Sequence, residues 1–384
     1  MGPLDGIVVV ELGGFIAGPF AGQLLGDLGA RIIKIEPPAG DPMRHWGVEQ
    51  NGRSLWWPAI ARNKESVVLD FHDPDQRTAA VSIIAGADVV VENFAPGRIA
   101  SWGLDYATLS AGNPGLVMAH VSGFGQDGPR AAARGFGSVA EAMGGLRALA
   151  GYPDRPPVRY GVSLGDSTAA LFAVNGVLAA LHERHRSGRG QEIDIALYES
   201  VFALTESLLA DWEVGGVTRS RTGSTLPGVA PSNVYPAADG VEILIAANGD
   251  SLFTRLCAAM GCPELAEDPR FADHRSRGSH LAELDDLIGA WTAGRPAAEI
   301  EAALDEHGIP RGRIYTPADI VADEQYQARE MVQRLPAADY PDPIPMPNVV
   351  PKFSRTPGSI RHTGVPLGAD TGKILADFGV HRTW

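Results

Sequence analysis

One carboxylate in this chain stands where a covalent nucleophile could act. Asp166 follows a glycine and comes just before an apolar helix that the sequence predicts over residues 169–184. One interpretation is a helix N-cap, whose side chain accepts hydrogen bonds from backbone N–H groups. The other interpretation is a covalent nucleophile, because a helix start also keeps a partly buried carboxylate ionised. Such a carboxylate can attack an activated carbonyl, so a cap and a nucleophile are both open hypotheses.

Other kinds of site have less support in the sequence. The turn at residues 13–19 lacks the G-x-G-x-x-G spacing of a dinucleotide-binding turn, and the chain has no P-loop motif. We predict no nucleophile elbow of the α/β-hydrolase type around Ser122 or Ser163. The ten histidines are scattered, and the two cysteines suit neither a zinc site nor a disulfide framework. We therefore predict no metal and no redox cofactor.

Composition limits the class of protein. The chain has 384 residues, 45% of them hydrophobic, and a formal net charge of −14. This content supports a sizeable core, and the acidic balance counts against nonspecific binding to nucleic acid. No basic N-terminal region and no apolar run near membrane-span length is evident. We therefore expect a cytoplasmic protein with neither a signal peptide nor a membrane span.

The elements that must position Asp166 alternate between strand and helix. Over residues 1–200 this alternation predicts an α/β fold, a Rossmann-like large domain with a parallel sheet covered by helices. From about residue 215 the pattern of strand and helix signals changes, and residues 215–335 are predicted to form a smaller α+β domain. Residues 336–351 are rich in proline. We predict that residues 336–384 form a return segment and tail that rejoin the large domain. The predicted strands are residues 7–10, 31–36, 67–69, 88–91, 116–121, 192–197 and 241–247, and the predicted helices include 19–28, 75–85, 251–260, 281–292, 297–307 and 371–378.

Short motifs spread along the chain together point to one family. They are Ala17-Gly18-Pro19, residues 32–36, Asn63-Lys64, residues 68–70, 92–97 and 122–125, Gly165-Asp166-Ser167 and residues 189–191. In this order and spacing the chain resembles the class III CoA-transferases, the formyl-CoA transferase and carnitine CoA-transferase group. The resemblance implies that Asp166 is the nucleophile, that CoA is bound as an acyl-CoA, and that two chains form an interlocked homodimer.

The resemblance also implies which residues contact the substrates. Phosphates need cations, and Arg44, Lys64 and Arg98 are candidates on charge grounds. The remote carboxylate of a dicarboxylate acceptor also needs a cation, for which Arg134, Arg44 and Arg221 are candidates. Glu141 either shapes the site or pairs with an arginine, and the segment from Gly223 to Gly228 is either a lid or a plain loop. The expected CoA-contacting residues are Ile16, Ala17, Leu69, His72, Asn93, Phe94, Ala95, Arg134, Gly135, Phe136 and Gly137.

Departures from the family pattern narrow the predicted reaction. Formyl-CoA transferases have glutamine at the position of Ile16 and a Tyr-Glu pair at Phe136 and Gly137. Racemases of the same fold have a catalytic histidine at Phe136, and phenylalanine cannot exchange a proton. Residues 134–143 and 221–233 most resemble the succinyl-CoA-dependent branch acting on malate, citramalate, glutarate or itaconate. We expect aspartyl anhydride and aspartyl-CoA thioester intermediates. A racemase or epimerase and a non-catalytic acyl-CoA-binding homologue stay open as alternatives.

Overall fold

The computed structural model describes residues 2–381, and short 3₁₀ turns join some of its elements. The strands are β1 (Val8–Leu12), β2 (Arg31–Glu36), β3 (Glu49–Gln50), β4 (Arg53–Ser54), β5 (Lys64–Val68), β6 (Val89–Glu92), β7 (Val117–Ser122), β8 (Glu192–Ala196), β9 (Ser232–Pro236), β10 (Glu242–Ala246), β11 (Arg311–Arg313), β12 (Val332–Leu335) and β13 (Ile344–Pro347). The helices are α1 (Ala17–Asp27), α2 (Trp57–Ile60), α3 (Pro74–Ala85), α4 (Tyr106–Gly112), α5 (Gly137–Met143), α6 (Leu146–Leu149), α7 (Leu164–Ser187), α8 (Leu197–Phe202), α9 (Leu208–Glu213), α10 (Asp250–Met260), α11 (His274–Ser279), α12 (Leu281–Ala293), α13 (Ala297–Glu306), α14 (Pro317–Ala322), α15 (Glu324–Ala328) and α16 (Thr371–Asp377).

The described chain divides into two compact units. The larger unit contains residues 2–147, Arg159–Leu208 and residues 324–381, and the smaller contains Ala148–Val158 and Leu209–Asp323. The predicted division had different boundaries, at residues 200, 215 and 335. The prediction did not assign Ala148–Val158 to the smaller unit, because no shift in composition marks that segment.

A six-stranded parallel sheet forms the centre of the larger unit, in the order β5-β2-β1-β6-β7-β8. Strands β1, β2 and β6 are rich in β-branched residues, as expected of strands that helices cover on both faces. Neighbours such as Val9 and Val10 point to opposite faces of the sheet. Val9 joins an apolar cluster with α1 and α7, and Val10 joins a separate one with α3 and α16. The predicted α/β class with a parallel sheet is therefore confirmed.

The strand order creates a crevice at one edge of this sheet. The chain runs outward from β1 through β2 to β5, and then crosses to β6 on the other side of β1. In open α/β sheets, ligands bind at such a switch point, outside the carboxyl ends of the strands. The loops after β1, β2, β5 and β6 are therefore the expected walls of a site.

Helix α7 is longer than predicted, which changes the position of Asp166. The helix begins at Leu164 with Ser163 as its N-cap residue, so Asp166 lies within the first turn and is not the cap. The expectation that no segment approaches a membrane span also missed this helix, which is long and apolar enough to cross one. Its small apolar residues Ala169, Ala173 and Val177 are buried in the same cluster as α1, so packing in the larger unit accounts for much of its apolar character.

The tail packs on the edge strand of the sheet. The backbone N–H of Ser66 in β5 donates to Asp370 Oδ2 at 2.9 Å, and that of Val68 donates to Thr371 Oγ1 at 3.1 Å. Helix α16 also packs against β5 and α3. The described part of the return segment therefore covers a strand whose backbone groups would otherwise be open to another chain.

The smaller unit has its own core. Strands β11, β10 and β9 form an antiparallel sheet, which packs against α10, α12 and α13 through residues such as Ile243, Phe253 and Ile288. Its glycine-containing segment from Gly223 to Gly228 is a turn in which Thr225 Oγ1 donates to the carbonyl of Thr222. Gly223 has a φ of 70° and Gly228 a φ of 74°, the left-handed region that favours glycine.

Candidate active site

Asp166 lies where the first turns of α5 and α7 meet. Its carboxylate is so close to Gly137 that a Cβ on this glycine would be 2.2 Å from Asp166 Oδ2. Gly165 is equally confined, since its Cβ would be 2.6 Å from the carbonyl oxygen of Gly137. Two glycines therefore let the two helix starts approach, and free backbone N–H groups at helix starts favour negative charge.

The surroundings of Asp166 raise its pKa. Burial disfavours the charged carboxylate, the negative charge of Glu141 adds to that effect, and Arg159 opposes it, so the pKa of Asp166 rises from 3.8 to about 6. The expectation that the helix start holds this group ionised is thus incomplete, because desolvation outweighs it. At neutral pH the carboxylate is mostly ionised, and it is more basic than an exposed aspartate.

Glu141 is buried four residues after Gly137 on α5, with only 1% of its surface exposed. Its Oε2 accepts a hydrogen bond from Arg147 Nε at 3.2 Å, and its Oε1 accepts a long one from the Gly165 N–H at 3.4 Å. Glu141 therefore pairs with an arginine and borders the first turn of α7, while a role in shaping the site stays a prediction.

A cavity of about 400 Å³ opens at the switch point of the sheet. The predicted CoA-contacting residues Leu69, His72, Asn93, Phe94 and Ala95 all line it. Its aromatic part consists of Phe71 and Phe94, whose rings each lie 5.1 Å from the ring of Trp102. The exposed guanidinium of Arg98 stacks 4.6 Å from the same Trp102 ring. This arrangement gives the cavity an aromatic wall with a cation beside it.

Asn93 shapes the cavity wall through the turn after β1. The N–H of Gly14 donates to Asn93 Oδ1 at 3.1 Å, and Asn93 Nδ2 donates to the Gly14 carbonyl at 2.8 Å. Gly13 admits no side chain there, because its Cβ would be 2.0 Å from Asn93 Oδ1. Ile16 and Ala17 follow this turn, but both are buried, and Ile16 lines a separate cavity with Ser167.

A row of aromatic rings connects this cavity with the surroundings of Asp166. Phe15 lines the cavity and meets Phe136 edge-on at 6.3 Å and Trp46 at 5.7 Å. Phe136 is 62% exposed and directly precedes Gly137, which lies against the Asp166 carboxylate. An extended ligand seated in the cavity could therefore follow these rings to the carboxylate.

The sequence and the fold both match known proteins. Residues 4–371 match the sequence model of CoA-transferase family III. The chain belongs to this family. It is 52% identical over 377 residues to a succinyl-CoA–D-citramalate CoA-transferase from Chloroflexus aurantiacus, covering 98% of this chain and 94% of the relative. It is 36% identical to the alpha subunit of a succinyl-CoA–L-malate CoA-transferase from the same organism, covering 98% and 88%. A crystal structure of a CAIB/BAIF family protein from Brucella suis is 34% identical and superimposes with a TM-score of 0.86, covering 98% and 99%.

In this CoA-transferase, two of the predicted phosphate ligands are already paired. Lys64 is buried, and its Nζ lies 2.7 Å from Glu11 Oε2. Arg44 forms a two-pronged ion pair with the buried Glu36, at 2.8 and 2.7 Å. Since neither presents a free charge to solvent, the structure counts against the phosphate role that their charge suggested.

The other predicted residues lie in two places. Arg134 is exposed and has no polar partner among residues 2–381, and Gly135 packs closely on the backbone of Gly123. Arg221 belongs to the smaller unit, where its Nε donates to the Tyr152 carbonyl at 3.1 Å. Gly223 lies in the same unit, and a Cβ there would meet the Tyr152 ring at 2.7 Å. A lid role for the segment from Gly223 to Gly228 stays a prediction.

Sequence reasoning missed three residues of the site. Phe15 and Trp102 form parts of the aromatic walls, and their only signal was their place after strands that end at the switch point. Arg159 lies seven residues before Asp166, is exposed, and has no polar partner within residues 2–381. A search for cations flanking the nucleophile would have found it.

The sequence also contains two short glycine motifs, and the structure explains why neither has its usual meaning. Residues 161–165 have G-x-S-x-G spacing, but no strand precedes Ser163, so it does not sit on a strand-to-helix elbow. Residues 123–128 have G-x-G-x-x-G spacing after β7, but the chain continues into a loop until α5 begins at Gly137. A dinucleotide-binding turn needs a helix start at that point.

Proposed function

We propose that this CoA-transferase moves CoA from succinyl-CoA to a second dicarboxylate, of the malate, citramalate, glutarate or itaconate type. The proposal depends most on one observation, a basic, half-buried Asp166 that an aromatic row connects with the switch-point cavity. The named activities of the two Chloroflexus relatives support the choice of donor and of acceptor class. Phe136 counts against the racemase alternative, because it has no proton to exchange.

In the reaction we propose, Asp166 carries CoA from one acid to the other as a thioester, with a mixed anhydride before and after it. A carboxylate oxygen attacks the thioester carbonyl, the C–S bond breaks, and CoA leaves as a thiolate with the electron pair. The thiolate attacks the aspartyl carbonyl of the mixed anhydride and releases succinate. The acceptor carboxylate then displaces CoA to form a second anhydride, and the thiolate finally captures the new acyl group. Atoms and charge balance without any further reactant.

The cavity suits the nucleotide end of CoA. Adenine is apolar on its faces, which suits the aromatic wall formed by Phe71, Phe94 and Trp102. Arg98 offers its guanidinium to the phosphates at the rim. In this pose the pantetheine arm lies along Phe15 and Phe136, and the thioester reaches Asp166.

The acceptor's second carboxylate requires a cation near the nucleophile. In the described part of the larger unit, Arg134 and Arg159 have free guanidinium groups, whereas Arg44 and Arg147 are paired with carboxylates. Arg159 also acts electrostatically on Asp166. We therefore add Arg159 to the candidates for this role, while Arg134 and Arg221 stay in the set.

We further propose that the chain works as an interlocked homodimer in the cytoplasm. Helix α7 exposes the large apolar residues Leu171, Phe172 and Leu178, and Phe202 and Leu204 are exposed after it. Several large apolar residues exposed along two consecutive helices are typical of an interface between subunits. Light scattering after size exclusion tests the dimer, and a monomer at all concentrations would contradict it.

Intact-protein mass spectrometry tests the proposed function. Wild-type protein incubated with succinyl-CoA should gain an adduct that hydroxylamine removes, and it should convert citramalate or malate to its CoA ester. Asp166→Ala should do neither. Transfer that survives in this variant would contradict the nucleophile assignment. Racemisation of a branched acyl-CoA without an acceptor would support the racemase, and binding without reaction would support a non-catalytic role.

A further inference from the structure

Glu141 is a buried carboxylate that the proposed reaction does not use. It lies on the same face of α5 as Gly137, because residues four apart on a helix are neighbours. Gly137 receives the Asp166 carboxylate against its backbone, and Glu141 reaches the N–H of Gly165, the residue before Asp166, at 3.4 Å. Helix α5 thus contacts the first turn of α7 at two points, through Gly137 and through the negatively charged Glu141.

We infer that Glu141 is a positioning residue for Asp166. The Glu141 carboxylate holds the first turn of α7 and keeps a negative charge beside the nucleophile. The inference rests on the proposed function of Asp166. The charge has a chemical consequence, because Asp166 is anionic when free and neutral when acylated. Repulsion from Glu141 is present in the free enzyme and absent in the anhydride and in the aspartyl-CoA thioester. Glu141 therefore favours acylation.

Arg147 pairs with Glu141 but does not cancel the effect of Glu141 on Asp166. Its guanidinium lies on the Oε2 side of Glu141, whereas the Oε1 side faces Gly165. Glu141 raises the pKa of Asp166 despite this pair. Neutralising Glu141 and removing Arg147 should therefore change the basicity of Asp166 in opposite directions.

Other charged groups near α7 do not substitute for Glu141. Glu141 on α5 and Arg159 on the preceding segment are the charged groups that act directly on the pKa of Asp166. Helix α7 also packs against α1, α8, β7 and β8. The titratable residues of these elements are Asp27 on α1, Tyr198 and Glu199 on α8, His120 on β7, and Glu192 and Asp194 on β8.

The test compares pH profiles in Glu141→Gln, Arg147→Gln and wild type. Glutamine keeps the size of Glu141 and an oxygen acceptor for the Gly165 N–H, so a purely structural role would leave the profile unmoved. The acidic midpoint of kcat should fall by about 1 pH unit in Glu141→Gln, and acylation at pH 8 should slow by about 10-fold. In Arg147→Gln the midpoint should rise. Equal midpoints in all three proteins would overturn the inference.

A second measurement works without any transferase activity. The rate at which a carbodiimide couples an amine to Asp166, followed by peptide mass spectrometry, decreases as this carboxyl ionises. Its midpoint should shift in the same two directions in the two variants. If these shifts appear but no acyl adduct forms with succinyl-CoA, the proposed function fails and the electrostatic inference stands. If Glu141→Gln does not fold, an unmoved midpoint in Arg147→Gln is enough to reject the inference.

Discussion

The Asp166 carboxylate rests against the backbone of Gly137, at a place where a single added carbon would come within 2.2 Å of Oδ2. The same glycine begins α5, so the helix start and the nucleophile share one point in space. This position requires glycine, because the space beside Oδ2 admits only a hydrogen atom. A substitution at Gly137 therefore displaces the nucleophile while its carboxylate stays chemically unchanged.

Gly137→Ala should abolish most of the activity while leaving the fold intact. The methyl group must displace Asp166, and misplacement of a reacting group by about 1 Å costs on the order of 10²-fold in rate. Steady-state kinetics should give a kcat at least that much lower, with little change in KM for the CoA ester. Gly112→Ala at the end of α4 is the control, because nothing lies within 4 Å of its Cβ position. An unchanged kcat in Gly137→Ala would contradict the geometry.

Asp166→Asn should make the protein more stable at neutral pH. The pKa of Asp166 is about 6 in the folded chain against a reference value of 3.8, so the ionised carboxylate destabilises the fold. The penalty is fully present above about pH 6 and disappears as the pH falls below 3.8, where both states bind the proton. The gain in free energy of unfolding should reach about 3 kcal/mol at most at pH 8.

Urea denaturation at pH 8 and at pH 4 measures this gain, and Asp5→Asn, at an exposed aspartate, serves as the control. The variant and wild type should differ clearly at pH 8 and much less at pH 4. A loss of stability at pH 8 would mean that hydrogen bonds to the carboxylate outweigh its desolvation.

The sequence reveals the sheet and the nucleophile more readily than the charges around them. Runs of β-branched residues predict β1, β2 and β6 because those strands are buried on both faces. Asp166 is found by its glycine turn, a local feature. The partners of Lys64 and Arg44 are harder to predict. Lys64 on β5 reaches Glu11 on β1 across the intervening strand β2, and Arg44 reaches Glu36 only because the chain turns after β2.

The aromatic row is hidden from sequence for the same reason. Phe15 and Phe136 are far apart in the chain, and their contact depends on the turn after β1 and the loop before α5. Phe15 has a φ of 64°, which is unusual for a residue with a side chain and is not predicted by its neighbours. Resemblance to a family can indicate such positions, but only the fold shows that they touch.

Arg98→Ala should weaken binding of the CoA ester with little effect on the chemical step. The guanidinium lies over Trp102, which lines the cavity, and Arg98 is not among the charged groups that act on the pKa of Asp166. Loss of one phosphate contact should raise KM by about 10-fold, and the difference should shrink at high salt, where such contacts are screened. Arg186→Ala, at an exposed arginine near the end of α7, is the control. An equal effect of both substitutions would point to general surface charge instead.

Lys64→Met decides between a structural lysine and a phosphate ligand. Lys64 and Lys34 lie 2.7 and 2.8 Å from the buried Glu11, and Lys34 also lies 2.8 Å from Asp41, so the four charges form one buried cluster. Removing Lys64 leaves Glu11 only partly compensated, and breaking a buried pair typically costs about 3 kcal/mol or more. Denaturation should show that loss, while the folded fraction at low temperature keeps the wild-type KM for the CoA ester. A raised KM with unchanged stability would instead establish Lys64 as a ligand of CoA.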